Sequence, residues 1–359
     1  MTINQHLPIT IAFGGIPLRL QLTWDGQRIV AAEIAANRPL AARILVGRMA
    51  DPAVALVPRL FSLCGQAQGV AARLALLAAR SDEASSAELD SALRRVAVEA
   101  IGEHLWRLLL DWPALLGQAA RKDEFLSWRQ RLLLADDAVS AATLGRDLNG
   151  WLDRESEPLL EQALGGASTL AQGVLLPWLT AAEWAQQAID ETFAERPHFF
   201  GQTAETGALA RQSENPEVAQ LRRAGFGIAA RFAARYADLR ALASGLCEPA
   251  SLARWIDAAP FGERCGLARV ETARGVLLHL IQLRDNTVQR YIIVAPTEWN
   301  FHPHGAFVRE IVGTPATSRV QAETIARSLA LALDPCVAYE LAFGDPAEAS
   351  PLPDSRTGE

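Results

Sequence analysis

Four cysteines, two methionines and three tyrosines among 359 residues leave little material for several kinds of protein. So few cysteines (Cys64, Cys247, Cys265 and Cys336) exclude a disulfide framework, and a reducing, cytoplasmic compartment is the simplest reading. No run approaches the ~20 uninterrupted apolar residues that a membrane span needs. No basic segment precedes an apolar run at Met1-Thr2-Ile3-Asn4, so no secretory signal is expected. Positive charge is short as well. Lysine and arginine number 34 against 41 acidic residues, and the net charge of −7 argues against nucleic acid as the main partner. No internal repeat is found.

Half of the chain is apolar, 21% is charged, and the mean hydropathy is +0.08, values of a globular protein able to bury a sizeable core. The abundance of alanine, leucine and arginine favours helix. Loose alternation from Ile16 to Trp24, the turn signal Asp25-Gly26 and the return from Arg28 to Ile34 predict a hairpin. Asp51-Pro52 predicts an N-cap and first turn for a helix running toward Leu63. Gly65 interrupts it, and helix resumes over Val70 to Ala79. Residues 87 to 195 read as almost wholly helical, Trp151 to Ala163 included. The tryptophans at 106, 112, 128, 151, 178 and 184 are expected to fill the packing between helices. Pro197 to Pro216 reads as a polar, irregular loop, and a long helix is expected from Val218 to Leu246. Gly266 to Glu271, Val276 to Arg284 and Gln289 to Val294 read as three strands. A last helix spans Ser318 to Leu333 and stops at Asp334-Pro335, and the tail beyond Phe343 reads as disordered. The fold class is α+β, mostly helical, with a long-helix core and small β regions near both ends.

Two cysteines stand out, 272 positions apart: Cys64 in Leu63-Cys64-Gly65, and Cys336 in Asp334-Pro335-Cys336-Val337-Ala338-Tyr339. Single cysteines beside apolar helices are most often buried and inert. Cys247 and Cys265 read as structural, although Cys265 would be reactive if exposed. His302-Pro303-His304 is a weak metal signal, with loop or partner contact as its other reading. His279, in an apolar strand, reads as a satisfied core histidine. Arg274 reads either as an ion-pair residue, with Glu271 for instance, or as part of a ligand pocket.

An ordered set of motifs goes further. Val270-Glu271-Thr272-Ala273-Arg274-Gly275, Val294-Ala295-Pro296-Thr297-Glu298-Trp299-Asn300, Gly313-Thr314-Pro315 and Asp334-Pro335-Cys336 resemble, in order and spacing, the C-terminal part of the nickel–iron hydrogenase large subunit. Arg19-Leu20-Gln21, Ile44-Leu45-Val46-Gly47-Arg48 with Asp51-Pro52, and Leu60-Phe61-Ser62-Leu63-Cys64-Gly65 resemble its N-terminal part. In that family each of two C-x-x-C motifs supplies one terminal nickel thiolate and one thiolate bridging nickel to iron. Here Cys64 and Cys336 match the terminal positions, while Ala67 and Tyr339 stand at the bridging ones. Ala71 and Ala342 replace the family's histidines, and Gln21 stands at a glutamate linked to proton transfer.

Such losses resemble the non-catalytic maturation branch, the HoxV/HupK-type hydrogenase expression/formation proteins. The resemblance implies a reduced hydrogenase large-subunit-like fold, with residues 1–345 as one intertwined domain and 346–359 as a tail. It implies no hydrogenase activity, because neither alanine nor a neutral phenol replaces a bridging thiolate. It implies instead a scaffold on which Cys64 and Cys336 hold one iron with cyanide and carbonyl ligands, without nickel. Arg274 and Thr297 would donate hydrogen bonds to those ligands. The implied partners are the accessory complex that builds the iron centre and the apo large subunit that receives it. A chaperone that binds by mimicry and holds no metal is the alternative, and a catalytic subunit the third reading.

Overall fold

The computed structural model describes residues 18–36, 41–61, 63–155 and 173–344. The first strand, β1 (Leu18–Trp24), alternates buried Leu18, Leu20 and Leu22 with exposed Arg19 and Gln21. It pairs antiparallel with β2 (Ile29–Ala35) across the Asp25-Gly26 turn, where the Asp25 carboxylate accepts from the Gln27 and Arg28 amides at 2.8 and 2.9 Å. Helix α1 (Ala50–Leu60) starts two residues earlier than the sequence predicts, after Met49. Its Ala50 amide is held by the Asn286 carbonyl, and Asp51 is therefore not the N-cap. Asp51 instead receives both Arg80 nitrogens, at 3.0 and 2.6 Å, from the end of α2 (Gly65–Arg80). Gly65 opens α2 rather than interrupting a helix.

Helix α3 (Ser86–Trp106) begins with a side-chain cap from Ser85 and runs into a π-helical turn, Arg107–Asp111, before α4 (Trp112–Leu115). Helices α5 (Lys122–Leu133) and α6 (Ala138–Glu155) follow. The helix expected over Trp151 to Ala163 is seen only through Glu155, the rest lying outside the described residues. Beyond 173 the expectation of unbroken helix fails. Val174–Leu175 (β3) pairs in parallel with Ala204–Glu205 (β4), and only short helices, Ala181–Trp184 and Glu191–Glu195, lie between them. The polar segment 203–211 is not an open loop, because its polar groups are consumed inside the protein. Thr206 accepts from the Val276 amide at 3.0 Å, and Glu205 binds buried Arg231, which also binds Glu310. The long helix predicted from Val218 breaks at Gly225 (φ +83°) into Pro216–Arg223 and α7 (Gly227–Cys247).

The second sheet is antiparallel in the order β5 (Ile256–Pro260), β6 (Cys265–Thr272), β7 (Gly275–Arg284) and β8 (Thr287–Val294). Three of its strands follow the sequence expectation, whereas β5, short and alanine-containing, gave no alternation signal. Strand β7 is buried on both faces, and its period of two divides it between two cores. Leu277, Ile281 and Leu283 join the main helical core, while Val276, Leu278 and Leu280 join a second core around Trp184, Phe193 and Trp299. Helix α2 lies across β6. Gly266 permits that approach, since a Cβ there would sit 2.1 Å from the Ala75 carbonyl oxygen. Trp112, Trp128, Trp151 and Trp184 are buried as expected, but Trp178 is 40% exposed.

Helix α8 (Arg319–Leu333) is capped by the Ser318 hydroxyl and ends at Asp334, as the sequence predicts. The last strand, β9 (Tyr339–Gly344), then returns to pair in parallel with β1, so the order of the first sheet is β2-β1-β9. Residues 346–359, read as a disordered tail, lie outside the described residues.

Candidate functional site

Cys64 is the N-cap of α2 and is held in the left-handed region (φ 58°, ψ 28°), strained for a residue with a Cβ. Its own segment provides no side-chain cap. The caps come from α3. Glu99 accepts from the Gln66 and Ala67 amides at 2.8 and 2.9 Å, and Glu103, one turn on, accepts from the Cys64 amide at 3.1 Å. Both carboxylates face the positive end of the α2 dipole. Burial, then the charge of Glu103, raises Glu99 to about 7. The Cys64 thiol donates to Glu103 at 3.5 Å and accepts from Arg274 Nη1 at 3.2 Å. Burial, reinforced by Glu103, pushes this thiol well above its ordinary range against the pull of Arg274.

The second cysteine enters from the other end of the chain. Asp334 closes α8 with left-handed backbone (φ 53°), and its buried carboxylate collects three arginines. Arg107 donates through Nε at 2.8 Å, Arg235 donates through Nη1 at 3.1 Å, and Arg274 Nε stands 3.3 Å away in ion-pair range without hydrogen-bond geometry. Burial opposes its ionisation, but Arg107, Arg274 and Arg235 hold Asp334 far below the usual carboxylate range. Two residues on, Cys336 Sγ accepts from the Thr297 hydroxyl at 3.0 Å, and the Cys336 amide donates to the same hydroxyl at 3.1 Å.

Arg274 sits in the β6–β7 turn and joins the two halves. Its guanidinium binds Glu103, contacts Cys64 and faces Asp334, and it lies within electrostatic reach of both cysteines. Asn300 holds the backbone of the turn, donating to the carbonyls of Arg274 at 3.2 Å and Leu333 at 3.4 Å while its own oxygen accepts from Thr206 at 3.0 Å. Gly275 (φ +128°) is required at that junction, since a Cβ would fall 2.4 Å from Thr206 Cγ2. The suggested pairing of Arg274 with Glu271 does not occur. Glu271 is taken by Arg211 and Arg269 across the turn, and Arg274 turns to Glu103 and Asp334.

Cys64, Arg274 and Thr297, all buried, and Cys336, half-buried, thus share one neighbourhood, while the other candidates stand elsewhere. His279 is fully buried between Tyr291 Oη and Gln68 Oε1, both at 2.8 Å, as a satisfied core histidine. His302 is buried too, its Nδ1 accepting from the His304 amide at 3.0 Å, and desolvation lowers it to about 4. Cys247 is exposed, Cys265 is half-buried, and all four cysteines are free thiols. Gln21 is exposed on β1 in register with Ala342. Ala67 and Ala71 are buried apolar positions in α2, and burial raises the half-buried phenol of Tyr339, keeping it neutral. Glu99, Glu103, Arg107 and Arg235 carry the site's electrostatics without having been anticipated. Only the π-turn at Arg107–Asp111 marks that region locally, and such turns are frequent at functional sites.

Among the described residues no group of three or more His, Cys, Asp or Glu side chains is arranged to hold a metal. The donor set here is two thiols. It suits a metal that arrives with most of its coordination already filled, and it lacks the bridging thiolates that a two-metal centre requires.

Comparison with known proteins identifies the fold and the family. The fold is that of the hydrogenase large subunit. The Ni-Fe-Se hydrogenase from D. vulgaris Hildenborough superposes with a TM-score of 0.67 at 15% identity, covering 87% of this chain and 94% of that chain. Residues 233–340 match the nickel-dependent hydrogenase family. Within that class the relatives are more particular. The chain is 32% identical over 380 residues to the hydrogenase expression/formation protein HupK of Rhizobium leguminosarum bv. viciae, covering 95% of this chain and all of the relative. It is 31% identical to the hydrogenase expression/formation protein HoxV of Cupriavidus necator, covering 87% of this chain and 93% of that one. The chain belongs to the HupK/HoxV family of hydrogenase expression/formation proteins.

Proposed function

We propose that this protein acts in nickel–iron hydrogenase maturation as a scaffold, holding an iron with cyanide and carbonyl ligands between Cys64 and Cys336 for delivery to the apo large subunit. The observation that carries the reading is the convergence of two thiols, from opposite ends of the chain, on one buried arginine. Arg274 already donates to Cys64, and Thr297 to Cys336. Each donor therefore stands beside the sulfur whose metal would bring the cyanide nitrogens within reach. Thiolates bind iron only when deprotonated, and Glu103, which accepts from the Cys64 thiol, is placed to receive its proton. The cargo would come from the accessory complex that builds it, in the cytoplasm. No described helix is long and apolar enough to cross a membrane.

Hydrogen conversion has no support in the donor set, because Ala67 and Tyr339 provide no bridging sulfur. A metal-free reading remains, in which the protein docks on maturation partners by likeness to the large subunit. It is favoured by the resting state of Cys64, a protonated thiol closed in by the Glu103–Arg274 ion pair. Infrared spectroscopy of the anaerobically purified protein, co-expressed with the maturation machinery, separates the two. Cyanide and carbonyl stretches that vanish in C64A and C336A are expected of the scaffold. A silent window in a protein still required for maturation would overturn it in favour of the metal-free role.

A further inference from the structure

The two thiols of the pocket are not equivalent. Cys64, 7% exposed, is closed in by a pair of charges. Its thiol donates to Glu103 at 3.5 Å and accepts from Arg274 Nη1 at 3.2 Å, and the same Nη1 is bound to Glu103. The Cys64 amide is taken by that carboxylate as well, at 3.1 Å. Cys336 is half-buried, and its sulfur accepts from the neutral Thr297 hydroxyl at 3.0 Å. To reach Cys64, a reactant has to part a buried ion pair, which is costly. To reach Cys336, it has to displace a hydroxyl.

Arg274 has a fixed backbone and an uncommitted side chain. Its amide donates to Thr272 Oγ1 at 3.1 Å, its carbonyl accepts from Asn300 Nδ2 at 3.2 Å, and Gly207 packs against that carbonyl. The guanidinium is different. Its Nε is buried and has no hydrogen-bond partner among the described residues, although Asp334 stands 3.3 Å away. Arg107 and Arg235 hold Asp334 whichever way Arg274 turns. A buried N–H without an acceptor is costly, so turning Nε onto Asp334 recovers a bond that the present position forgoes.

We propose that the Arg274–Glu103 pair is a latch on Cys64, that Cys336 is the entry thiol, and that an anion held at Cys336 opens the latch by drawing the Arg274 guanidinium from Glu103. The identity of that anion, iron with its cyanide ligands, rests on the scaffold reading; the order rests on the contacts of the two sulfurs. The S–Fe bond to Cys336 forms first, replacing water or a donor thiolate on the iron, and the Cys336 proton leaves to solvent. Arg274 then turns to a cyanide nitrogen and to Asp334, exchanging one anion for another so that its charge stays paired. Glu103, released, takes the Cys64 proton as the second S–Fe bond replaces another such ligand. The iron keeps its oxidation state throughout. Release to the acceptor runs the same steps backwards, Cys64 letting go first.

The latch is tested on the full chain without iron, so its failure is separable from failure of the scaffold reading. Modification of each cysteine of the native protein by iodoacetamide, a small neutral reagent, is timed by peptide mass spectrometry, with exposed Cys247 as internal reference. Cys336 should react at least about tenfold faster than Cys64. Cys336 is then blocked either with iodoacetate, which leaves a carboxylate on its sulfur, or with iodoacetamide, which leaves a neutral amide of nearly the same size. The remaining reaction of Cys64 is followed with isotope-labelled iodoacetamide. The tethered carboxylate should speed it by about tenfold or more over the amide. E103Q, which removes the charge that holds Arg274, should speed Cys64 to a similar degree and leave Cys336 unchanged. Should E103Q fail to fold by circular dichroism, the two blocked forms of the wild type decide. A Cys64 rate equal to that of Cys336 or faster, the same Cys64 rate behind carboxylate and amide, or an unchanged Cys64 rate in folded E103Q would each overturn the proposal.

Discussion

Asp334→Asn is the perturbation whose outcome the structure specifies most fully. The side chain keeps its shape, but one accepting oxygen becomes an NH2 donor that faces a guanidinium, and the charge that three arginines share is gone. Arg107 lies 2.8 and 2.7 Å from the carboxylate, Arg235 3.1 Å and Arg274 3.3 Å, with the carboxylate 1% exposed. At an effective dielectric of 20, a pair of unit charges at 4 Å interacts by about 4 kcal/mol, before the cost of desolvating each ion. Breaking one buried pair by removing a partner typically costs about 3–5 kcal/mol, because the other charge stays buried without compensation. Arg107 retains Asp111 and Arg274 retains Glu103, whereas among the described residues Arg235 keeps only the His104 ring, at 3.1 Å. One such penalty, about 3–5 kcal/mol, is therefore expected rather than three. Equilibrium urea unfolding of D334N measures it, with D153N as the control, since Asp153 pairs with Arg240 at the exposed surface. The control should move by less than about 1 kcal/mol. A loss below about 1 kcal/mol in D334N would refute the argument that the three arginines depend on this carboxylate.

Further outcomes follow from individual contacts. E99Q removes the charge of the α2 cap and leaves one oxygen for the two amides that Glu99 caps, and should cost at least about 1 kcal/mol in the same urea assay; an unchanged midpoint would count against capping from α3. G266A sets a methyl against the Ala75 carbonyl and should yield little folded protein by circular dichroism, whereas G150A, whose nearest contact is 3.8 Å away on the flexible Arg154, should be neutral or gain up to about 1 kcal/mol. His279 is lowered to about 3 by burial, below its unfolded value of about 6.5. Its contribution to stability is full above pH 6.5 and is lost as pH falls from there toward 3, by about 1.4 kcal/mol per pH unit. Urea unfolding of H279Q should show a shallower decline between pH 6.5 and 5 than the wild type, and parallel curves would exclude the assignment.

Much of the β6–β8 meander and of α8 was legible because their signals are local, namely strand alternation and the Ser318 and Asp334-Pro335 boundaries. Cys64, Cys336, Arg274 and Thr297 were legible through ordered motifs, although each lies far from its partner in the chain. The partners of those residues were not. Glu99 and Glu103 gave no signal, because nothing local tells a solvated glutamate from one that caps another helix. Asp334 read as a helix stop, which it is. Its three arginines come from positions 107, 235 and 274 and become neighbours only in the folded chain. The segment 203–211 was misread for the same reason, its polarity serving Arg231, Val276 and Asn300 rather than water. Gly225 broke the predicted long helix because left-handed backbone cannot continue an α-helix.

The parallel pairing of β1 with β9 sets a schedule for the site. Strand β1 emerges early in synthesis, but its edge stays open until residues 339–344 arrive. At about 5–20 residues per second, synthesis of the intervening chain takes on the order of 15–70 s. Until Asp334 and Cys336 are made, Cys64 and Glu103, and later Arg235 and Arg274 as they are synthesised, lack them, and the arginine cluster lacks its shared counter-charge. The thiol pair therefore forms only after residues 334–336 have been made, and a nascent molecule, or one truncated before them, presents Cys64 without Cys336. Closure of the first sheet acts as a completion check, deciding when the pocket comes into being.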